Sequence, residues 1–321
     1  MAKRSPQTSI PRLTRQVCTR RTLATDDSRV PQSKHLSNQA GECPVWARPK
    51  AGIIAFMPST HAIRVAVHGA AGRVGREVVI AIAEAPDMEL MAAIDRLPPQ
   101  DAPLLPAGVP YFDNAKDALS NTKPEVVVDF TNAEVSVALA PVALAAGVRP
   151  VIGSTGFLDD QLAYIDSLCH KHHLGAVYAP NFTIGAVLLA KLSAMAARFF
   201  EYAELTEEHH EQKLDAPSGT ALSIAKAIHE AHPDRFQRNV PKKEPLPGTR
   251  GADYKGITIH STRMPGRLAH HQVTFGAPGQ TLTLRHDTIN RECYMPGVLV
   301  AIRKVREIEG LAIGLENLLD L

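Results

Sequence analysis

Residues 207–220 combine side chains that can transfer protons with a backbone that can bind an anion. They contain the adjacent imidazoles His209 and His210 and, shortly after, the amine of Lys213. A histidine can act as a general acid or base near neutral pH, and a lysine supplies a positive charge. Ser218 then precedes an apolar pattern typical of a helix, whose free N–H groups form an anion site. The segment therefore predicts a proton donor beside a cradle for an anionic group.

The residues before this helix are typical of a strand. From 203 to 209, apolar and polar residues alternate in part, which would place Leu205, Glu207 and His209 on one face and His210 on the other. The proton donor would then lie close to the anion cradle. The structural alternative is a polar hairpin with solvated histidines.

A second, independent pattern predicts a dinucleotide site. An apolar strand at 63–68 runs into the glycine-rich turn 69–75 and then into a helical pattern. Glycines permit a tight turn and a close approach of the backbone to a pyrophosphate at the helix N-terminus. The spacing is GxxGxxG rather than GxGxxG, but Asp95, twenty positions after Gly75, strengthens the prediction because an acid there can bind ribose hydroxyls. A turn that binds no phosphate is the alternative.

Two kinds of element pattern divide the body of the chain. Strands and helices alternate up to about residue 182, as in a Rossmann-like, doubly wound parallel sheet, whose ligands bind beyond the carboxyl ends of the strands. After a helix predicted at 184–200, strand patterns at 203–209, 257–262, 273–276 and 280–285 indicate a second α+β domain with a mixed or antiparallel sheet. We expect a dinucleotide-binding domain at 61–182, to which 288–321 returns, and a substrate-binding and oligomerisation domain at 183–287.

The first sixty residues differ in composition from the rest. They lack a sustained apolar period, so we expect a disordered extension. The first 25 residues contain six basic side chains and no acid, as in a transit peptide, which would make the protein organellar. We favour an over-extended gene start near Met57 and a cytoplasmic protein, because Asp26, Asp27 and Glu42 interrupt the acid-poor character.

Composition excludes several classes of function. The net charge is +2, but residues 1–56 carry ten Lys/Arg against three Asp/Glu, so the remainder is mildly acidic and shows no nucleic-acid surface. No apolar stretch reaches the roughly 20 residues that span a membrane. Four cysteines without paired or metal-ligand spacing are consistent with a reducing compartment.

Two histidine-rich segments invite a metal interpretation that we do not favour. His170, His172 and His173 lie in a predicted helix without an acidic or cysteine partner at matching spacing, so surface histidines are the simpler interpretation. In the segment 207–211, the positive charge of Lys213 disfavours a divalent ion. We predict no metal site.

Both patterns together resemble one family, the 4-hydroxy-tetrahydrodipicolinate reductases, also called dihydrodipicolinate reductases, of the lysine and diaminopimelate pathway. The most specific match is the string from His209 to Ala221, with its two histidines, its lysine and Asp-Ala-Pro-Ser-Gly-Thr-Ala. The resemblance covers about residues 62–321. Further matching segments are 69–75, 128–131, 152–157, 179–182, 259–263 and 285–287.

The resemblance implies an NAD(P)H-dependent reduction that yields tetrahydrodipicolinate with loss of water, carried out by a homotetramer on a small dicarboxylate. It implies that His209 is the acid, that Lys213 is its charged partner, and that substrate is held by His210, Ser218, Gly219 and Thr220. The cofactor positions implied are Gly69, Ala70, Ala71, Gly72, Arg73, Val74, Asp95, Arg96, Phe130, Thr131, Gly153, Ser154, Thr155, Ala179, Asn181 and Phe182.

Two departures and two rival functions accompany the resemblance. Ser154 stands where Thr is common, and Asp95 stands where some members carry Glu, which bears on the choice between NADH and NADPH. The rivals are a dehydrogenase for a different imino acid and a catalytically silent NAD-binding regulator. Neither would need His209 and Lys213 next to the helix start at Ser218.

Overall fold

A computed structural model describes residues 61–97, 105–233, 236–319 and 321. The expectations for residues 1–60 concern a part of the chain outside these ranges. The strands are β1 (Ile63–His68), β2 (Met88–Ile94), β3 (Tyr111–Phe112), β4 (Val126–Asp129), β5 (Arg149–Ile152), β6 (Gly175–Tyr178), β7 (Tyr202–His209), β8 (Ala252–Tyr254), β9 (Ile257–Arg263), β10 (Ala269–Ala277), β11 (Gln280–Thr288) and β12 (Gly310–Ile313). The α-helices are α1 (Gly75–Glu84), α2 (Ala115–Thr122), α3 (Ala133–Ala145), α4 (Asp159–His172), α5 (Ile184–Ala197), α6 (Gly219–Ala231) and α7 (Met295–Lys304).

Seven strands form a sheet in the order β12-β6-β5-β4-β1-β2-β3, and all neighbouring pairs are parallel. Its central strands are apolar on both faces, because helices cover both sides. Val65, Val67 and Val128 pack with α1 and α7 on one side, whereas Ala66 and Val127 pack with α2 and α3 on the other. The predicted doubly wound parallel sheet is confirmed.

The direction of strand addition reverses between β1 and β4. From β1 the chain adds β2 and β3 towards one edge, and from β4 it adds β5, β6 and β12 towards the other. Open α/β sheets bind ligands at such a reversal, beyond the carboxyl ends of the strands. The residues that follow the two strand ends are Gly69 and Phe130, which therefore lie side by side at this position.

A five-stranded mixed sheet follows in the order β11-β10-β7-β9-β8. The β7–β9 pair is parallel and the other pairs are antiparallel. Helices α5 and α6 cover one face, where Leu205, Val273 and Phe275 form a core with Ile224 and Ile228 of α6. The predicted second sheet is confirmed.

The boundaries of several elements differ from those predicted. Helix α5 ends at Ala197 rather than at residue 200, and β10 and β11 are longer than the predicted strands 273–276 and 280–285. Strands β3, β8 and β12 were not predicted, because they are short edge strands that are defined by pairing with one neighbour rather than by their own residues. Strand β12 lies at the edge of the first sheet, and α7 belongs to the same core. Among the described residues, no helix is long and apolar enough to cross a membrane.

The glycine turn packs so closely on α1 that a side chain cannot be added at its end. A Cβ at Gly75 would overlap the carbonyl oxygen of Gly69 and approach the Cα of Ala70 at 3.0 Å. We therefore expect Gly75→Ala to lower the free energy of unfolding by about 1–3 kcal/mol, the usual cost of overpacking. Denaturant titration measures this change.

Gly276→Ala is the matched control, since its Cβ would meet only the Cβ of Tyr202 at 3.7 Å. We expect this variant to unfold close to the wild-type midpoint. A Gly75→Ala protein that is as stable as Gly276→Ala would show that the turn can move away from the helix.

Candidate active site

A cavity of about 380 Å³ lies where the carboxyl ends of the first sheet face the inner surface of the second sheet. Segments that follow strands of the first sheet, together with the glycine turn, contribute Val74, Phe130, Gly153, Asn181 and Phe182. The second sheet and its loops contribute His209, His210, Lys213, Thr220 and His271. The two patterns of the sequence therefore meet in one cavity.

Strand β7 positions the candidate proton donor. Its residues alternate between half-buried and buried, so that Leu205, Glu207 and His209 share the inner face, as predicted. The strand ends at His209, and the alternation does not extend to His210, which was predicted on the opposite face but lines the same cavity. This end of the strand brings both imidazoles to the cavity.

A buried carboxylate orients the His209 ring. Glu207 is 0% exposed, and its Oε2 binds Nδ1 of His209. The other oxygen, Oε1, accepts a hydrogen bond of 2.7 Å from Nη2 of Arg263. Burial raises the pKa of Glu207, but hydrogen bonds with His209, Arg263 and Ser261 outweigh it and lower the pKa to about 2. Glu207 is therefore ionised at neutral pH, so Nδ1 of His209 donates the hydrogen, and Nε2 is left for other chemistry.

The Lys213 side chain lies in the loop between β7 and α6. Its Nζ is 2.7 Å from Oδ1 of Asp215, and this hydrogen bond lowers the pKa of the Asp215 carboxyl. The backbone N–H of Lys213 donates to the carbonyl of His210 at 3.2 Å, which closes a turn directly after the strand. The ammonium group and the imidazoles are thereby brought to the same cavity.

Helix α6 begins at the same cavity. Ser218 is its N-cap, and its Oγ accepts a hydrogen bond of 3.1 Å from the N–H of Ala221, as the sequence predicted. Ser218 is 2% exposed, whereas Thr220 lines the cavity and lies 3.5 Å from the amide nitrogen of Asn181. The predicted anion cradle therefore faces the segment that follows β6.

His271 joins the imidazole and the helix start. Its ring meets that of His209 edge-on at 5.4 Å, and its Nε2 is 3.2 Å from Oγ of Ser218. Burial lowers the pKa of His271, and the charge of a protonated His209 lowers it further, to about 4. His271 is therefore neutral at physiological pH and adds no positive charge against His209.

The glycine turn and Asp95 form the other end of the site. Gly69 has φ of +82°, a conformation that glycine adopts without strain, and the turn leads directly into α1. Oδ2 of Asp95 accepts a hydrogen bond of 3.0 Å from the N–H of Ala71, and Oδ1 accepts one of 3.2 Å from Leu97. The carboxylate thus lies against the turn at the carboxyl end of β2. Ala70 is buried, whereas the Arg73 and Arg96 side chains are exposed.

Three of the other predicted cofactor positions, Thr131, Ser154 and Ala179, do not line the cavity. The hydroxyls of Ser154 and Thr131 belong to a network around the buried carboxylate of Asp129, in which Ser136 bonds both Asp129 and Ser154. The Ala179 side chain is also buried. Their backbone positions are fixed at the strand ends. Thr155 is exposed and Gly153 lines the cavity, where a Cβ would overlap the Phe130 ring.

The sequence did not give the roles of several residues at or beside the cavity. The spacing did not identify Glu207 as the partner of His209, it assigned no role to Arg263, and it did not fix the role of His271. The cavity is also lined by His286, Arg291 and Tyr294, which come from β11 and the turn before α7. The pairing of β7 with β9 and β10, and of β10 with β11, brings Arg263, His271 and His286 to the same end of the sheet as His209.

The imidazoles and Glu207 are also arranged as metal ligands could be. Within the ranges that the structure describes, donor atoms of Glu207, His209 and His271 lie within 4.8 Å of one another. Both oxygens of Glu207 are engaged, one by His209 and one by the guanidinium of Arg263, which disfavours a cation. In the other segment, His170 and His173 are exposed and lie 3.7 and 3.2 Å from Glu309.

Comparisons with known proteins identify relatives across the described body of the chain. A family model described as "Dihydrodipicolinate reductase, N-terminus" matches residues 63–182, and one described as "Dihydrodipicolinate reductase, C-terminus" matches residues 185–319. The 4-hydroxy-tetrahydrodipicolinate reductase of Moorella thermoacetica is 45% identical over 270 residues, which are 80% of this chain and 98% of the relative. That of Bacillus subtilis is 41% identical over 266 residues, 82% of this chain and 100% of the relative.

Solved structures agree with these matches. A dipicolinate-bound dihydrodipicolinate reductase from Paenisporosarcina sp. TG-14 is 44% identical and superposes with a TM-score of 0.73, covering 80% of this chain and 99% of that chain. An amine dehydrogenase from Mycobacterium smegmatis is 14% identical with a TM-score of 0.55, covering 80% and 96% of the two chains, and shows a shared fold alone.

The buried His271 predicts a pH-dependent stability. Because its pKa in the folded protein is about 4, below the ordinary 6.5, the unfolded chain binds the proton more readily. The stabilisation is complete above pH 6.5 and is lost as pH falls towards 4. We expect His271 to account for about 2 kcal/mol of lost stability between pH 7 and pH 5. The contribution of Glu207 to stability is lost in a separate range, as the pH falls from about 4.5 to 2.

Denaturant titrations of wild type and His271→Gln at pH 7 and pH 5 measure this contribution. The variant should lose less stability than wild type over that interval, whatever its stability at pH 7. The control is His173→Gln, whose exposed side chain should leave the pH dependence unchanged. Equal losses in wild type and His271→Gln would contradict a buried neutral imidazole.

Proposed function

The chain belongs to the dihydrodipicolinate reductase family, and we propose that the cavity between its two sheets is the active site. The protein is an NAD(P)H-dependent oxidoreductase that reduces 4-hydroxy-tetrahydrodipicolinate to tetrahydrodipicolinate in lysine and diaminopimelate biosynthesis. The reaction takes up a hydride and a proton and releases the substrate hydroxyl as water. The observation that supports the site best is that His209 and Lys213 line the same cavity as Phe130 and Asn181.

We assign His209 as the proton donor and Lys213 as its charged partner. Nδ1 of His209 is held by the Glu207 carboxylate, so Nε2 carries the proton that the reaction consumes. The ammonium of Lys213 attracts a substrate carboxylate, which must compete with Asp215 for it. His210, Gly219, Thr220 and the Ser218-capped start of α6 would hold a second acidic group.

The glycine turn fits a dinucleotide. The turn carries no side chain at Gly69, Gly72 and Gly75, and α1 begins directly behind it. When bound, the dinucleotide supplies the hydride. Ala70, Ala71, Gly72, Arg73 and Val74 would surround its pyrophosphate, and Asp95 and Arg96 its adenosine ribose. Phe130, Thr131, Gly153, Ser154, Thr155, Ala179, Asn181 and Phe182 would surround its nicotinamide end.

The domain boundaries follow from these roles. We propose that 61–182 with 288–321 binds the cofactor and that 183–287 binds substrate and forms subunit contacts. Membership of β12 in the first sheet supports the return of the C-terminal segment. We place the enzyme in the cytoplasm, which the free thiols of Cys169 and Cys293 support.

We also propose a homotetramer assembled through the outer face of the second sheet. The inner face is covered by α5 and α6, whereas the outer face presents polar side chains such as Glu204, Glu208 and Arg285, and no described helix packs on it. Light scattering tests this proposal, and a solution mass equal to one chain would refute it.

The role of His209 predicts a selective kinetic defect. Replacing it by Gln removes the positioned acid, so we expect kcat to fall by about 10²-fold with a small change in substrate KM. Lys213→Ala should lower kcat and also raise the KM for substrate, because it removes a charge that holds the carboxylate. Loss of absorbance at 340 nm, with the freshly made condensation product of pyruvate and aspartate semialdehyde, measures turnover.

Affinity for NADH is the control in this experiment, since neither side chain is assigned to the cofactor. Binding of dipicolinate, the ligand named in the Paenisporosarcina structure, separates substrate binding from chemistry. We expect it to survive in His209→Gln and to weaken in Lys213→Ala. A variant with weakened NADH binding but wild-type kcat at saturating NADH would refute the assignment.

The charges around Asp95 predict the choice of cofactor. Its carboxylate should favour the hydroxyls of NADH and repel the 2′-phosphate of NADPH, whereas Arg96 and Arg73 should attract that phosphate. Asp95→Asn removes the charge and keeps an oxygen for the N–H of Ala71. We expect the ratio of kcat/KM for NADPH to that for NADH to rise about tenfold.

Glu89→Gln is the control for charge alone, because Glu89 lies on the same strand β2 near its other end. It should leave the ratio unchanged. An unchanged ratio in Asp95→Asn would mean that the carboxylate does not face the ribose.

A further inference from the structure

Arg263, the last residue of β9, contacts two separate parts of the substrate site. Its Nη2 donates to Oε1 of Glu207 at 2.7 Å and to the backbone carbonyl of Asp215 at 2.5 Å. Its Nη1 donates to the carbonyl of Thr262 at 2.8 Å, which fixes the plane of the guanidinium. The side chain is 18% exposed, so both contacts are partly shielded from water.

Each of these contacts leads to one of the two groups assigned to the reaction. Behind the first contact, Glu207 holds Nδ1 of His209. Behind the second, Asp215 holds Nζ of Lys213 at 2.7 Å through Oδ1, while Arg263 holds its carbonyl. A single guanidinium therefore joins the strand that carries the proton donor to the loop that carries the ammonium group.

We propose that Arg263 is a positioning residue that fixes His209 and Lys213 relative to each other, an inference that rests on the function proposed above. Two planar N–H groups can serve a carboxylate and a carbonyl at fixed angles, which a lysine ammonium cannot reproduce. The guanidinium also balances the charge of the fully buried Glu207. It thereby limits how strongly that carboxylate favours a protonated His209.

The simpler interpretation is an ion pair that only stabilises the fold. Arg303 and Asp87 form such a pair far from the cavity, with distances of 2.7 and 2.8 Å and a similarly half-buried guanidinium. What distinguishes Arg263 is its second contact, to the loop of Lys213. Arg303→Met is therefore the matched control for loss of an arginine–carboxylate pair.

The charged groups around His209 decide the expected pH dependence. Glu207 and Arg263 lie behind the ring, and His271 packs on its edge. His210 and Lys213 from the loop, His286 from β11 and Arg291 before α7 line the same cavity. Among these groups, removing the charge of Glu207 disfavours the imidazolium, whereas removing that of Arg263 favours it. The alkaline limb of the activity profile should therefore move to lower pH in Glu207→Gln and to higher pH in Arg263→Met.

Steady-state kinetics of four variants of the full chain test the proposal. In Glu207→Gln we expect a fall in kcat of about tenfold or more with substrate KM near wild type. In Arg263→Met we expect kcat to fall and substrate KM to rise by about tenfold, with NADH affinity unchanged. Arg263→Lys should partly restore either kcat or substrate KM, but not both, because an ammonium cannot reproduce both contacts of the guanidinium. Arg303→Met should change neither constant. Melting curves identify any variant that fails to fold. If Arg263→Met does not fold, the kinetics of Arg263→Lys test the proposal in its place.

The outcomes separate this inference from the proposed function. The absence of reductase activity in the wild-type protein would refute the proposed function. An active wild type with Arg263→Met kinetics equal to those of Arg303→Met would overturn the positioning role alone. A fall in kcat with unchanged substrate KM in Arg263→Met would also overturn it, because Arg263 would then act only through Glu207 and not through the loop of Lys213.

Discussion

The second sheet and the site at its end depend on one buried negative charge. Glu207 has no exposed surface, and a carboxylate can remain ionised there only because His209, Arg263 and Ser261 supply hydrogen bonds. These partners come from the same strand and from β9, so the charge is stabilised only when the second sheet is formed. In return, the carboxylate fixes which nitrogen of His209 carries a proton. Folding of the second sheet therefore also orients the His209 ring.

The two sheets contribute different parts of the site. The parallel sheet ends in backbone segments and a glycine turn, which suit a long ligand with phosphate groups. The mixed sheet places Glu207 and His209 on its inner face, at the end where α6 begins. The contact of Asn181 with Thr220, at 3.5 Å, joins the two halves at the cavity.

Local patterns predicted the parts of this site that depend on nearby residues. Alternation along β7 identified the shared face of Leu205, Glu207 and His209, and the Ser218 signal identified the start of α6. The partners Arg263 and His271 lie more than fifty residues along the chain, and their proximity follows from the pairing of β7 with β9 and β10. No local period encodes such pairing. The same reason explains why the short edge strands β8 and β12 were missed, since neighbouring strands, rather than their own residues, define them.

The protonation of the His209 ring is the most direct test of the account. Nuclear magnetic resonance of the protein with 15N-labelled histidine distinguishes a ring nitrogen that carries hydrogen from one that does not. At neutral pH without substrate, we predict a His209 Nδ1–H whose proton is shifted far downfield by the carboxylate, and which disappears in Glu207→Gln. A His209 ring without hydrogen on Nδ1, or an unchanged signal in Glu207→Gln, would contradict the claim that Glu207 determines which nitrogen of His209 carries hydrogen.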